Sequence, residues 1–261
     1  VTLAIAAVAV LLGAGLQSAT GFGFALVSAP VLFAVLGPRH AVSAGALLSI
    51  ELGLLTLATE RRVPRVLAGE ALALIAWSLP GLAIGAVALR ELPDRVLSVL
   101  VAVGVLGALG LRLRGRSLAP GTVVQSGREP GVVGSAGNVI PPAQGWHTAA
   151  AGVTSGALST ATSLSGPPLV LHLVARGLSP DQMRDTLAAL FVALAVLTTG
   201  ALMLADTFEL PSGLVVLLVA GIAGQVIGRR GFAWLSGGRH EDALLAVLAV
   251  TAVVALVSSV L

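Results

Sequence analysis

The side chains able to do chemistry in this chain are few, and they cluster. Thr160, Thr162, Ser163 and Ser165 lead into Gly166 and the adjacent prolines Pro167 and Pro168, with His172 just beyond, in surroundings made mostly of Ala, Val, Leu and Gly. Hydroxyls beside a proline-broken helix supply hydrogen bonds, either to the freed backbone or to a ligand. Where a helix begins afresh, its free N–H groups and the positive end of its dipole favour an anion. A second cluster, Ser18, Thr20, Gly21 and Gly23 in the stretch SATGFGF, can offer the same from the first half of the chain. No catalytic constellation accompanies them. There is no HExxH, no GxSxG, no Walker loop and no cysteine, so intramembrane hydrolysis, ATP-driven transport and thiolate chemistry have no residues to carry them. His40, His147 and His240 lie near segment ends without ligand spacing to acidic residues, and neither a metal nor another cofactor is expected.

Single residues allow two readings each. Glu51 falls near the middle of an apolar segment, where a charge costs about 2.5–3.5 kcal/mol on the insertion scale and usually serves function. It is the candidate proton carrier; the alternative is a glutamate held by hydroxyls such as Ser49 and Thr56. His172 can attract an anion when charged, or serve as a neutral interhelical link. Gln17 and Gln225 can donate to an oxyanion or tie helices together. Arg184 is a substrate partner if it lies beside the broken helices, and a topology determinant if it lies at the interface. Glycines such as Gly81, Gly85, Gly221, Gly224 and Gly228 are read first as close-packing positions.

Composition dictates the elements that position these groups. The 261 residues are 56% hydrophobic and 10% charged, with a mean hydropathy of +1.01. That is the composition of an integral membrane protein. No Asp, Glu, Lys or Arg occurs in residues 1–38, 71–89, 186–205, 210–228 or 243–261. Windows of that length can cross a hydrocarbon core of about 30 Å, whereas the short alternating segments of a β-barrel are missing. Helices are expected at 1–17, 22–36, 40–59, 67–90, 94–112, 146–160, 164–176, 181–205, 210–229 and 241–261. The first of these lacks a basic flank and continues apolar to Pro38, so it is read as a retained helix and not as a signal peptide. Residues 115–145, rich in Gly, Pro and Ser, read as a connecting loop.

Arginine supplies all fifteen basic residues, and its distribution orients the chain. With connections counted alternately, twelve arginines fall on one side and only Arg39, Arg90 and Arg95 on the other. Cytoplasmic loops hold the basic residues, so the connecting loop is expected inside and both termini outside. The basic balance thus reflects topology, and no nucleic-acid partner is implied.

The chain also resembles itself at an offset of about 140 residues. SATGFGFALVSAPVLFAVLGPRHAVSA, from Ser18, parallels GALSTATSLSGPPLVLHLVARGLSPDQMRDT, from Gly156, with Pro30 against Pro168; PGLAIGAVALREL, from Pro80, parallels AGIAGQVIGRRGF, from Ala220. The expected architecture is an all-α integral membrane fold of two inverted repeats, each a pair of short broken or re-entrant helices followed by three transmembrane helices. Residues 1–112 form the first repeat, 113–145 the cytoplasmic connection and 146–261 the second repeat. Interrupted helices at matching places in such repeats point to a transport site near the bilayer midplane.

GFGFALVSAPVL, together with SLSGPPLVLHLVARGLSPDQMRDTLAALF, is similar to the TauE/SafE family of membrane anion exporters, and the likeness covers nearly the whole chain. The resemblance implies a bacterial inner-membrane carrier that exports sulfite or a related sulfur-containing anion such as an organosulfonate. The expected function is export of a small anion by alternating access, with a site made of Ser18, Thr20, Gly21, Gly23, Thr160, Thr162, Ser163, Ser165, Gly166 and His172. Protons are the expected coupling ion, carried by Glu51, and the lipid bilayer is the other partner; the sequence does not fix an oligomeric state. An anion channel and a non-transporting membrane assembly protein are the alternatives.

Overall fold

The computed structural model describes residues 2–59, 65–118 and 145–234. Among them, all regular structure is helical: α1 (Thr2–Thr20), α2 (Phe24–Leu36), α3 (Pro38–Thr59), α4 (Ala68–Glu91), α5 (Asp94–Leu118), α6 (Gly145–Thr162), α7 (Gly166–Ala175), α8 (Pro180–Leu204) and α9 (Leu214–Trp234). The helix expected at 241–261, and the connecting loop from residue 119 to 144, lie outside the described residues.

Each break has a local cause. Gly37, at a φ of 81°, ends α2, and Pro38 opens α3 with a residue whose missing N–H has no partner to lose there. Pro93 stops α4 and Asp94 starts α5 with a negative charge at the positive end of the helix dipole. Ser179 caps α8 by accepting from the Gln182 N–H, with Pro180 at the first helical position. The fifth helix runs six residues beyond its expected end at 112, to Leu118.

Among the described residues three helices, Pro38–Thr59, Ala68–Glu91 and Gln182–Leu204, are long and apolar enough to cross a membrane, and many large side chains, such as Leu72, Val87, Val215 and Leu204, face outward. Such a surface is at home in lipid. By contrast α7 has ten residues, about 15 Å of helix, roughly half of a hydrocarbon core.

The helices pack in a pattern that survives exchange of the halves. α4 lies along α6 and α1 along α9; α2 packs on α1 and α7 on α6; α3 packs on α8. The two longest seams are built on glycine. A Cβ added at Gly81 or Gly85 of α4, or at Gly152 or Gly156 of α6, would lie within 3.0 Å of the facing helix, as it would at Gly224 and Gly228 against α1. Backbones approach that closely only where side chains are absent, which is the packing role expected for these residues; Gly221 instead faces Glu51 of α3. The buried apolar residues divide into two clusters: one is centred on α1, α2, α3 and α5, the other on α4, α6, α7 and α8.

At one end of the bundle Arg39 pairs with Glu209 at 3.3 Å, joining the start of α3 to the α8–α9 connection. At the other end the Arg65 N–H donates to Asp185 and the Leu67 N–H to the Thr186 hydroxyl, joining the approach to α4 with the start of α8.

Candidate functional site

Two sharp turns bring the quoted motifs to one place. In the first, Gly21 ends α1 at a φ of 83° while donating to the Gln17 carbonyl at 2.7 Å, and Gly23, at a φ of 111°, leads into α2. Glycine adopts these left-handed conformations without steric penalty. In the second turn Ser163 holds a φ of 60°, which costs a side-chain-bearing residue about 1–2 kcal/mol. Its N–H donates to Ser159 and the next, on Leu164, to Leu158, closing the end of α6. The two prolines matched in the sequence stand at different places in their helices: Pro30 lies inside α2, whereas Pro168 belongs to the first turn of α7.

Between the turns lies a small open cleft of about 30 Å³. From α2 come Phe24, Ala25 and Leu26 with Phe22 and Gly23 before them; from α7 come Gly166 and Pro167 with Ser163, Leu164 and Ser165 before them; Gln17, Ser49 and Phe191 complete the wall. Both helices point their N-termini at this space. The first ladder bond of α2 runs from the Val27 N–H to the Gly23 carbonyl, so the N–H groups of Phe24, Ala25 and Leu26 have no acceptor within the helix. At α7 the supply differs from expectation: Pro167 and Pro168 carry no N–H, and backbone donation shrinks there. Hydroxyls take over. Ser165 makes no capping bond with its side chain, and the buried Ser163 Oγ has no hydrogen-bond partner among the described residues.

A second small pocket of about 20 Å³ adjoins the first, sharing Ser49, Ser163, Ser165 and Phe191 with it. Its far wall carries Ser159 and Thr198, whose hydroxyls meet at 2.7 Å. No charged side chain is among the residues lining either space. The cradle thus offers neutral donors and two helix dipoles, a combination that suits a small anion that is to be released again.

Of the expected site residues, Gly23, Ser163, Ser165 and Gly166 line the cleft. Gly21 stands in the same turn, against the Arg184 side chain. Ser18 donates instead to the Gln225 carbonyl at 3.0 Å, joining α1 to α9. Thr160 bonds the Leu82 and Gly156 carbonyls and Thr162 the Leu158 carbonyl, so these two hydroxyls satisfy helix backbone. Thr20 ends α1, and its side chain lies outside the described set. His172 is not among the residues lining the cleft and meets Glu70 instead.

Glu51 is half-buried in α3; its Oε2 has no hydrogen-bond partner among the described residues and sits 2.8 Å from where a Cβ on Gly221 would stand. The hydroxyl of Thr56, one of its suggested supports, donates to the Leu52 carbonyl. Gln225 donates to Thr56 and Leu52, a helix–helix link, while Gln17 remains a cleft residue. Arg184 lies beside the first turn, its stem 3.3 Å from the Cβ position of Gly21.

Sequence reasoning missed Glu70. This residue of the first turn of α4 is buried, and its carboxylate meets His172 Nε2 at 2.5 Å, Arg176 Nη2 at 3.0 Å and the Thr148 hydroxyl at 3.5 Å. The available signal was an acid at the edge of the charge-free window 71–89, with His172 and Arg176 spaced four apart on one helical face.

Compared with known families, residues 5–255 match the model described as Sulfite exporter TauE/SafE. No curated protein and no solved structure matched the chain.

Proposed function

The chain belongs to the TauE/SafE sulfite exporter family of membrane transporters, and from that premise we propose that it exports a small anion, sulfite or an organosulfonate, by alternating access at the cleft between α2 and α7. One observation carries the reading: two helix N-termini, one rich in backbone donors and the other in hydroxyls, converge on a single uncharged cleft. An anion bound there accepts from the Phe24, Ala25 and Leu26 N–H groups on one side and from Ser163 and Ser165 on the other.

The cleft is walled by Phe24, Leu26 and Leu164 of one apolar cluster and by Phe191, which packs against the other, and interrupted helices at such a place suit an alternating-access site. The exchange-invariant packing of the helices supports two inverted repeats, with α3 and α8 meeting at their common axis. The arginine bias supports an inner-membrane carrier whose Arg65 and Arg176 end faces the cytoplasm. Glu51 is the proposed coupling residue because its carboxyl stands inside a span without a partner among the described residues.

The deciding experiment is flux into proteoliposomes with a panel of sulfite, sulfate, thiosulfate, sulfonates and carboxylates. Saturable, counterflow-competent uptake of a sulfur oxyanion is expected. Non-saturating flux without counterflow would make the protein a channel, and no flux of any member would remove the export reading.

A further inference from the structure

We propose that Glu70 is a positioning residue for the α7 half of the anion site, acting through His172 and Arg176; the inference rests on the reading of the cleft given above. The Glu70 side chain is 7% exposed, and groups from α6 and α7 converge on it. A carboxylate only accepts, so His172 donates its Nε2–H to Oε1 and Arg176 donates from Nη2 to Oε2. His172 lies in the last turn of α7 and Arg176 is its C-cap, where the guanidinium charge also faces the negative end of the helix dipole.

The opposite end of the same helix, Ser165 and Gly166, lines the cleft. At ten residues α7 behaves as a short rod, and whatever fixes one end fixes the other. Between the ends, Leu169 and Leu173 are buried among Leu74, Leu187 and Leu190. Apolar contact of this kind is non-directional and fixes the axial height and the rotation of the rod less sharply than directional bonds do. The charge-assisted bonds to Glu70 are directional, and they set both. Removing the carboxylate takes away the acceptor that His172 and Arg176 share, so α7 shifts and its hydroxyls leave their places opposite α2.

The cysteine-free chain makes the shift readable. Single cysteines are introduced as Ser165→Cys, on the α7 side of the cleft, and Ala25→Cys, on the α2 side, and labelled with a water-soluble thiol reagent in purified protein with and without Glu70→Gln. The expected result is a labelling rate changed about tenfold at Ser165→Cys and within about twofold at Ala25→Cys. Sulfite affinity, measured by calorimetry on the cysteine-free Glu70→Gln protein, is expected to fall about tenfold, the size of one charge-assisted hydrogen bond. Glu70→Asp should recover part of that affinity. Arg176→Gln, which leaves the carboxylate and His172 in place, should act in the same direction and carries the test where Glu70→Gln does not fold. Unchanged rates at both cysteines, or equal changes at both, in a folded variant would overturn the proposal. A selective change at Ser165→Cys with sulfite affinity indifferent to Ser165→Ala would instead sink the cleft as the binding site and leave the hold of Glu70 on α7 standing.

Discussion

Ser163 rests on Gly45: a Cβ built on Gly45 of α3 would stand 2.7 Å from the Ser163 Oγ and 3.1 Å from its Cβ. Ser163 is also one of two described side-chain-bearing residues with positive φ. The left-handed turn that aims its hydroxyl inward therefore depends on the absence of a side chain one helix away. Gly45→Ala should displace the Ser163 hydroxyl with little effect on the body of the fold. Sulfite affinity is expected to drop by about three- to tenfold, in line with one neutral hydrogen bond misplaced, while thermal stability in detergent changes much less. Unaltered affinity in Gly45→Ala would show that the Ser163 hydroxyl is not a ligand group.

The hydroxyls themselves give the direct test. Ser163→Ala and Ser165→Ala should each weaken binding by about 0.5–1.5 kcal/mol. Gly166 faces open space, its nearest neighbour being the Phe191 ring at 3.8 Å from a Cβ position. Gly166→Ala is thus expected to fold and bind, whereas Gly166→Leu should fill the cleft and abolish binding. Calorimetric titration of the purified variants decides this, and equal affinities across the series would place the anion elsewhere.

Glu51 and Gly221 make a second testable contact. Glu51→Gln should flatten the pH dependence of transport while leaving protein abundance near that of the parent. Gly221→Ala, whose new methyl group would press on Oε2, should disturb the same profile without touching the cleft. Flux measured across a pH series in proteoliposomes is the check; a parental profile in Glu51→Gln would assign the residue a structural role.

Orientation can be read with cysteines placed at the two ends of the bundle. In the connection between α8 and α9 Thr207 is buried and donates to the Leu202 carbonyl, whereas Ser212 is exposed and is the better site. Ser212→Cys should react with an impermeant reagent applied to intact cells. Gly69→Cys, exposed at the opposite end with no neighbour near its Cβ position, should react only after permeabilisation. The reverse pattern would invert the proposed topology.

Sequence alone determined whatever depends on neighbouring residues. Apolar segments and their breaks located the helices from α1 to α9 to within a few residues over most of their ends, because a segment in lipid must satisfy its backbone internally whatever surrounds it. Gly21, Gly23 and the Gly166–Pro168 run marked the breaks, since φ preference and the missing proline N–H are local properties. The family, too, was legible in those motifs. Tertiary structure decided which polar groups meet. Thr160 and Ser163 look alike in the chain, yet one is spent on the Leu82 carbonyl of α4 and the other, in the turn beyond α6, stands against Gly45 without a hydrogen-bond partner among the described residues. His172 looked like a cleft residue until Glu70, 102 positions away, was found holding it at the other end of α7. A buried carboxylate selects its partners by distance in space, and no spacing along the chain encodes that distance.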